Sequence, residues 1–441
     1  MVLCQNARFV LATSYLQNSQ PSMNTKAVTS REFAVQVVRT LTNAGHIAYW
    51  SGGCVRDQLI GRIPKDYDVA TNATPEQVRD IFGHRRTLPI GQSFGVITVL
   101  GSKPAAPIEV ATFRRESSYS DGRHPDEVAF TDAREDAQRR DFTINGLFYD
   151  PLTDALHDFI GGEEDIRRGI VRAIGDPAER IAEDKLRMLR AIRFAATFGF
   201  QLESHCLETI RRCASQIHVV SAERITVEMQ RMLSHGHRAT AVDLLVKSQL
   251  LAEILPESPL VFGDEKAQAA VLSSIGQLPE GASFSQAISV LLNDRPGRAL
   301  RDVVEQLATR WKLANAERRE VTGLCVAIPT IVEATKQTWP LAQRALTRTD
   351  PHRLIQVARV IAAANQLDPS GVDFCDREVK KPREQWDPVP LLDGNQLSEL
   401  GIPAGPRVGR LLASLRDAQL LGDVQTAQEA RKWIQAKVKS D

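Results

Sequence analysis

The chain has 441 residues, 43% hydrophobic and 25% charged, a globular profile too long for one ordinary core, so more than one domain is expected. No apolar run approaches the length of a membrane span. The formal net charge is only +1, so the average field attracts no phosphates, and a nucleic-acid binder of this size must gather its arginines locally.

Residues 1–27 lack a basic segment followed by an apolar core, which argues against a secretory signal. They read as a disordered leader, or as an upstream start with Met23 as the true one. Cys4, Cys54, Cys206, Cys213, Cys325 and Cys375 show neither zinc spacing nor a dense disulfide framework, which suits a reducing cytoplasm. Ser30–Asn43 predicts a helix, capped by Ser30, with Phe33, Val37 and Leu41 repeating on one face. An apolar run, Ile47 to Trp50, then meets Gly52-Gly53, a short helix, and Asp66-Tyr67-Asp68 opening a strand. Adjacent glycines let backbone amides approach a ligand. Residues two apart on a strand share a face, so Asp66 and Asp68 would aim two carboxylates at one point and suit Mg²⁺ with substrate phosphates. Gly-Gly is equally an ordinary turn, and D-x-D an exposed strand end. Thr74-Pro75-Glu76-Gln77 starts another helix, and strands are predicted at 95–100 and 108–112. In the latter Glu109 faces away from Ile108 and Val110, either as a solvent position or as a third metal-binding acid.

Residues 113–128 carry no apolar repeat and read as a mobile loop, a surface excursion or one that moves as the substrate grows. Arg139, Arg140 and Asp141 follow, fit to bind a triphosphate by fork geometry or to decorate a helix end. Within Glu183–Phe200, Leu189, Ile192 and Ala196 form an apolar stripe. Asp184, Arg187, Arg190 and Arg193 recur every third residue, a slowly drifting polar strip. A carboxylate and a guanidinium one turn apart can hydrogen-bond a base edge, or make an ordinary surface salt bridge. Ser221 looks like the cap of a further helix. Beyond Gly199 the pattern is helical almost throughout, with breaks at Pro256–Pro259, Pro279–Ser283, Asn293–Gly297, Pro329, Pro340 and Asp368–Val372. Residues 386–405 read as a Pro- and Gly-rich link before a helix opened by Gly405-Pro406-Arg407, a plain start or a phosphate contact.

Taken together, GGCVRD (52–57), DYD (66–68), IEVATFR (108–114), RRDFTIN (139–145), GGEED (161–165), EDKLRMLRAIRFA (183–195) and ERITVEMQRML (223–233) resemble the bacterial class II tRNA nucleotidyltransferases, the CCA-adding enzymes, and the related bacterial poly(A) polymerases. The match covers residues 30–235 in the family's order, and DGNQLSELGIPAGPRVGRLL (393–412) looks like the last domain of full-length members. The resemblance implies an α+β fold, a small mixed-sheet nucleotidyltransferase head followed by all-α neck, body and tail. The expected boundaries are 28–160, 161–235, 236–385 and 386–441. It further implies that Gly53, Arg56 and Arg140 contact the nucleotide's phosphates, that Asp66 and Asp68 hold Mg²⁺ with Glu109 as third acid, that Asp184 and Arg187 read the bases of CTP and ATP, and that Arg190 and Arg193 complete the pocket. Loop 113–128 corresponds to the segment that helps switch the pocket from C to A.

The implied activity is CCA addition to tRNA in the cytoplasm, with no membrane and no protein partner. Poly(A) polymerases, or enzymes adding only CC or only A, are the alternatives. Gly91-Gln92-Ser93-Phe94-Gly95 stands where poly(A) polymerases tend to carry a basic G-[RK]-[RK]-F, which favours tRNA. A non-catalytic RNA binder would have lost one of Asp66, Asp68 or Glu109, and all three are present.

Overall fold

The computed structural model describes residues 29–117, 127–293 and 300–440. The expected leader, the tip of the 113–128 loop and most of the break at 293–297 lie outside the described residues. Helix α1 (Ser30–Asn43) is capped by Thr29 rather than Ser30, through a reciprocal capping box with Glu32. Its buried face, Phe33, Val37, Val38 and Leu41, packs on a seven-stranded sheet. The sheet is built from β1 (Ala48–Ser51), β2 (Asp68–Thr71), β3 (Thr87–Leu88), β4 (Val96–Val99), β5 (Ile108–Thr112), and, after an intervening hairpin, two later strands. That hairpin, β6 (Arg114–Ser117) with β7 (Glu127–Phe130), replaces the irregular loop expected from 113: the backbone pairs antiparallel at both ends of the segment. The later strands are β8 (Phe148–Asp150) and β9 (Ala155–His157). Sheet order is β3-β4-β5-β2-β1-β8-β9, and β2 with β5 form its parallel pair.

Two short helices, α2 (Gly53–Leu59) and α3 (Pro75–Phe82), pack against the strands, α3 starting where expected and closed by a reciprocal capping box between Thr74 and Gln77. Helix α4 (Ala133–Gln138) precedes a 3-10 turn, Thr143–Asn145. Helix α5 (Gly162–Arg168) lies so close to that turn that a Cβ on Gly162 would sit 2.2 Å from the Thr143 carbonyl oxygen. Only glycine fits there. Next come α6 (Pro177–Glu183) and α7 (Arg187–Phe198), which correct the single helix expected from Glu183: Asp184 leaves the helical region at φ −147°, ψ 108°. Its Oδ1 accepts the Leu186 N–H at 3.0 Å, a side-chain bond that competes with the helical ladder. Helices α8 (Ser204–Cys213) and α9 (Ala222–Leu233) pack on α6 and α7 respectively, and Ser221 precedes α9 without a side-chain cap bond.

The remaining chain is helical to Ser440 among the described residues. Buried side chains from Phe142 to Trp386 form one connected core, separate from the head's core around α1 and Trp50 and from a small core between Leu392 and Ile434. At about 1.5–3 kcal/mol per buried large side chain, Met188, Leu189 and Ile192 alone hold α7 firmly against its neighbours. No described helix is long and apolar enough to cross a membrane.

Candidate active site

A cleft of about 550 Å³ opens where the head sheet meets α7. Its floor comes from pairing: β2 runs parallel to β5 with Asp68 opposite Glu109, so two carboxylates emerge side by side from neighbouring strands. Neither has an ion-pair partner among the described residues. Partial loss of hydration between the cleft walls, then the negative charges of Glu109 and Asp66, push the carboxyl of Asp68, exposed at the start of its strand, up to about 6 against the pull of Arg140. Asp66 is not on the strand. The ladder with β1 begins at Val69, and Asp66 stays exposed in the bend before it, outside the cleft lining although Asp68 feels its charge. Among the described residues no three His, Cys, Asp or Glu side chains form a metal-sized group. An unpaired, mutually repelling pair of oxygen donors is nevertheless the donor chemistry that accepts a hard cation.

The cleft's rim is basic. β1 delivers the chain to Gly52, whose φ of +69° starts α2 and whose missing side chain leaves room for Arg140: a Cβ there would lie 3.0 Å from Nη1. Gly53 lines the cleft without such crowding. Arg56, buried, donates to Asp57 at 2.7 Å and to the Asn145 side chain, with its guanidinium over the rings of Phe198 and Phe194. Arg139 and Arg140 both donate to buried Asp136; burial would raise that carboxyl, but the two guanidiniums hold it below its usual range. Asp141 accepts from the Phe142 amide and Asn145, and pairs with Arg190 from α7. Despite full burial, Arg190 and Asn145 bring it down to about 2.

Asp184, Arg187 and Arg190 line the far wall, and Arg193 does not. Arg193 turns behind α7 to buried Glu228 of α9 and stacks on Phe194. Asp184 and Arg187 do not pair with each other. Asp184 is held by both terminal nitrogens of Arg224, at 2.7 and 3.3 Å, and Arg187 by Glu183 and the Arg180 carbonyl. These supports were not singled out from sequence. Asp136, on α4, sits three and four residues before the two arginines that follow the helix, a readable spacing. Arg224 and Glu228 lie 40 and 35 residues from their partners; both fall within ERITVEMQRML (223–233), but nothing in that stretch says which side chains they hold. Arg407 donates to the Val438 carbonyl within the tail.

A mixed sheet carrying an unpaired acid pair beneath an arginine-lined cleft defines a nucleotidyltransferase. In keeping with this, residues 48–172 match the poly A polymerase head domain, and residues 199–259 match a segment described as the probable RNA and SrmB-binding site of polymerase A. The chain is 32% identical over 420 residues to the CCA-adding enzyme of Anoxybacillus flavithermus, spanning 92% of this chain and 98% of that one. The chain belongs to the CCA-adding enzyme family. Its fold aligns with the Bacillus stearothermophilus CCA-adding enzyme in complex with CTP at a TM-score of 0.70 and 28% identity, over 92% of this chain and 97% of that one. The Thermotoga maritima CCA-adding enzyme complexed with tRNA shares the fold at a TM-score of 0.65 and 18% identity, over 92% and 95% of the two chains.

Proposed function

We propose that this protein completes the 3′ end of tRNA in the cytoplasm, adding C, C and A in turn from CTP and ATP without a nucleic-acid template and releasing pyrophosphate each time. The unpaired acids Asp68 and Glu109, facing a ring of arginines across one cleft, carry this reading. Of the acids expected to bind Mg²⁺, Asp68 and Glu109 stand side by side in the cleft and would hold it, while Asp66, in the bend before β2, adds its negative charge and would complete the site only by turning inward. A bound divalent ion would supply Lewis-acid chemistry there, acidifying the RNA's terminal 3′-hydroxyl and offsetting the charge of the leaving pyrophosphate. Gly53, Arg56 and Arg140 take the triphosphate, whose charge the guanidinium forks match without reorganising at the moment of reaction.

Base choice belongs to Asp184 and Arg187. Cytosine and adenine both present an amino donor where uracil and guanine present a carbonyl acceptor. A carboxylate offers about four acceptor positions, so Asp184 keeps one for that amino group after binding Arg224 and the Leu186 amide. A carbonyl aimed at the same place leaves both groups unpaired, and a site built for hydrogen bonds rejects it strongly. Arg190 braces this wall through Asp141, and Arg193 braces it from behind through Glu228.

The test is incubation of the pure protein with tRNA lacking CCA, with each nucleotide alone and in pairs, followed by reading the 3′ ends. CTP alone should give CC, CTP with ATP should give CCA, and UTP or GTP nothing. Long tails from ATP alone on unrelated RNA would make the protein a poly(A) polymerase, and an arrest at CC with both nucleotides a CC-adding enzyme.

A further inference from the structure

We infer that Asp136, set behind the cleft wall, loosens the grip of two arginines on pyrophosphate so that the leaving group can depart; this rests on the proposed function, which makes pyrophosphate a product. Each of the five arginines lining the cleft has a carboxylate behind it. Arg56 pairs with Asp57, Arg187 with Glu183 and Arg190 with Asp141, while Asp136 serves both Arg139 and Arg140. Asp136 is 1% exposed and stands outside the cleft lining, so it acts on a ligand through those two guanidiniums.

Oδ2 of Asp136 accepts Nε and Nη2 of Arg140 at 3.1 and 2.8 Å, and Oδ1 accepts Nε and Nη2 of Arg139 at 2.9 and 2.7 Å. Each arginine thus lays one two-donor edge, the geometry that suits a phosphate, against the protein's own carboxylate. Oδ1 also accepts the Arg114 amide at 3.2 Å where β6 begins, which fixes the carboxylate from a third direction. Burial would raise its pKa, yet Arg140 and Arg139 hold it below the usual carboxylate range, so its charge persists at any working pH.

Arg140 also pulls on the Asp68 carboxyl, which puts its charge beside the acids where pyrophosphate leaves. Whatever grips the two outer phosphates of a triphosphate grips pyrophosphate as well. Binding substrate and product alike does nothing for turnover once release limits it. One carboxylate between two guanidiniums cancels half of their charge and keeps both in place. A carboxylate that only oriented its arginines would strengthen phosphate binding, whereas one that offsets their charge weakens it. The two roles differ in sign.

The test compares Asp136→Asn with Asp136→Glu, each checked by a thermal melt. Binding of inorganic pyrophosphate with Mg²⁺, and of CTP, is measured by calorimetry on the protein without RNA. In Asp136→Asn the Kd for pyrophosphate should fall at least about tenfold. Inhibition of CTP incorporation by pyrophosphate should tighten by the same factor, and kcat should fall more than the single-turnover rate. Asp136→Glu keeps the charge and should keep the wild-type Kd for pyrophosphate. Arg139→Gln, with and without Asp136→Asn, repeats the comparison with one cation fewer, should Asp136→Asn alone not fold. The double variant should then bind pyrophosphate at least about tenfold more tightly than Arg139→Gln. A folded Asp136→Asn that binds pyrophosphate no better than wild type overturns the inference, as does an equal tightening in Asp136→Glu. Binding is read without incorporation, so a wild type that binds pyrophosphate and CTP yet adds nothing to tRNA sinks the proposed function alone. A wild type that binds neither sinks both.

Discussion

Asp68 and Glu109 come together because two strands pair in parallel with those residues opposite each other. The D-x-D spacing suggested a different geometry, with Asp66 and Asp68 as face-sharing neighbours. Strand boundaries decide between the two, and here the boundary is set by the ladder from β1, which first reaches Val69. Glu109 was the more legible acid, since its alternation against Ile108 and Val110 survives unchanged in the folded strand. Replacing Asp68 by Ala removes one of two repelling charges and breaks no ion pair, so the protein should melt at or slightly above the wild-type temperature. Incorporation should fall by roughly 10³-fold or more, as expected when charge stabilisation at the reacting centre is lost, while CTP affinity changes far less. Single-turnover incorporation and a thermal melt check both halves. Wild-type incorporation by this variant would remove the acid pair from the chemistry.

At the scale of elements, the break between α6 and α7 matters most. A repeat of three made Asp184, Arg187, Arg190 and Arg193 look like one strip on one helix. The folded chain instead assigns each a partner from elsewhere: Arg224, Glu183, Asp141 and Glu228 in turn. Apolar periodicity made α7 itself legible. The break was not, because an Asp bonding to an amide two residues on leaves the hydrophobic pattern undisturbed. Arg224 is thus a positioning residue that acts through Asp184. In Arg224→Ala the ratio of kcat/KM for CTP over UTP should drop by roughly tenfold or more, with triphosphate affinity changed only slightly. Arg187→Ala should lower the same ratio further, since it removes a group that would meet the base directly. Arg224→Lys, with one ammonium for the fork, should recover part of the loss. Steady-state kinetics with both nucleotides decide it, and an unchanged ratio in Arg224→Ala would leave Asp184 without a role in base choice.

For the whole molecule, the cleft is a seam between two hydrophobic cores, and the segment 139–147 stitches it. Phe142 and Ile144 pack into the helical core while Leu147 packs into the head. A boundary drawn along the chain at residue 160 does not register that interleaving, because residues adjacent in sequence serve different cores. Across the seam, Asp141 pairs with Arg190, and its carboxyl is held near 2 against an ordinary value of 3.8. The folded protein therefore binds this proton more weakly than the unfolded chain, and unfolding in acid takes one up. The stabilisation is complete above about pH 5 and drains away as pH falls toward about 2. Asp141→Asn keeps the shape and the bond to Asn145 but leaves Arg190 without its counter-charge. It should unfold at lower urea, by about 2 kcal/mol near neutrality. The gap should stay level from about pH 7 to about pH 5, then narrow steadily toward about pH 3 as the wild type loses what the variant never had. Urea titrations along that series measure it directly. A gap that held its size down to about pH 3 would mean that something other than this ion pair closes the seam.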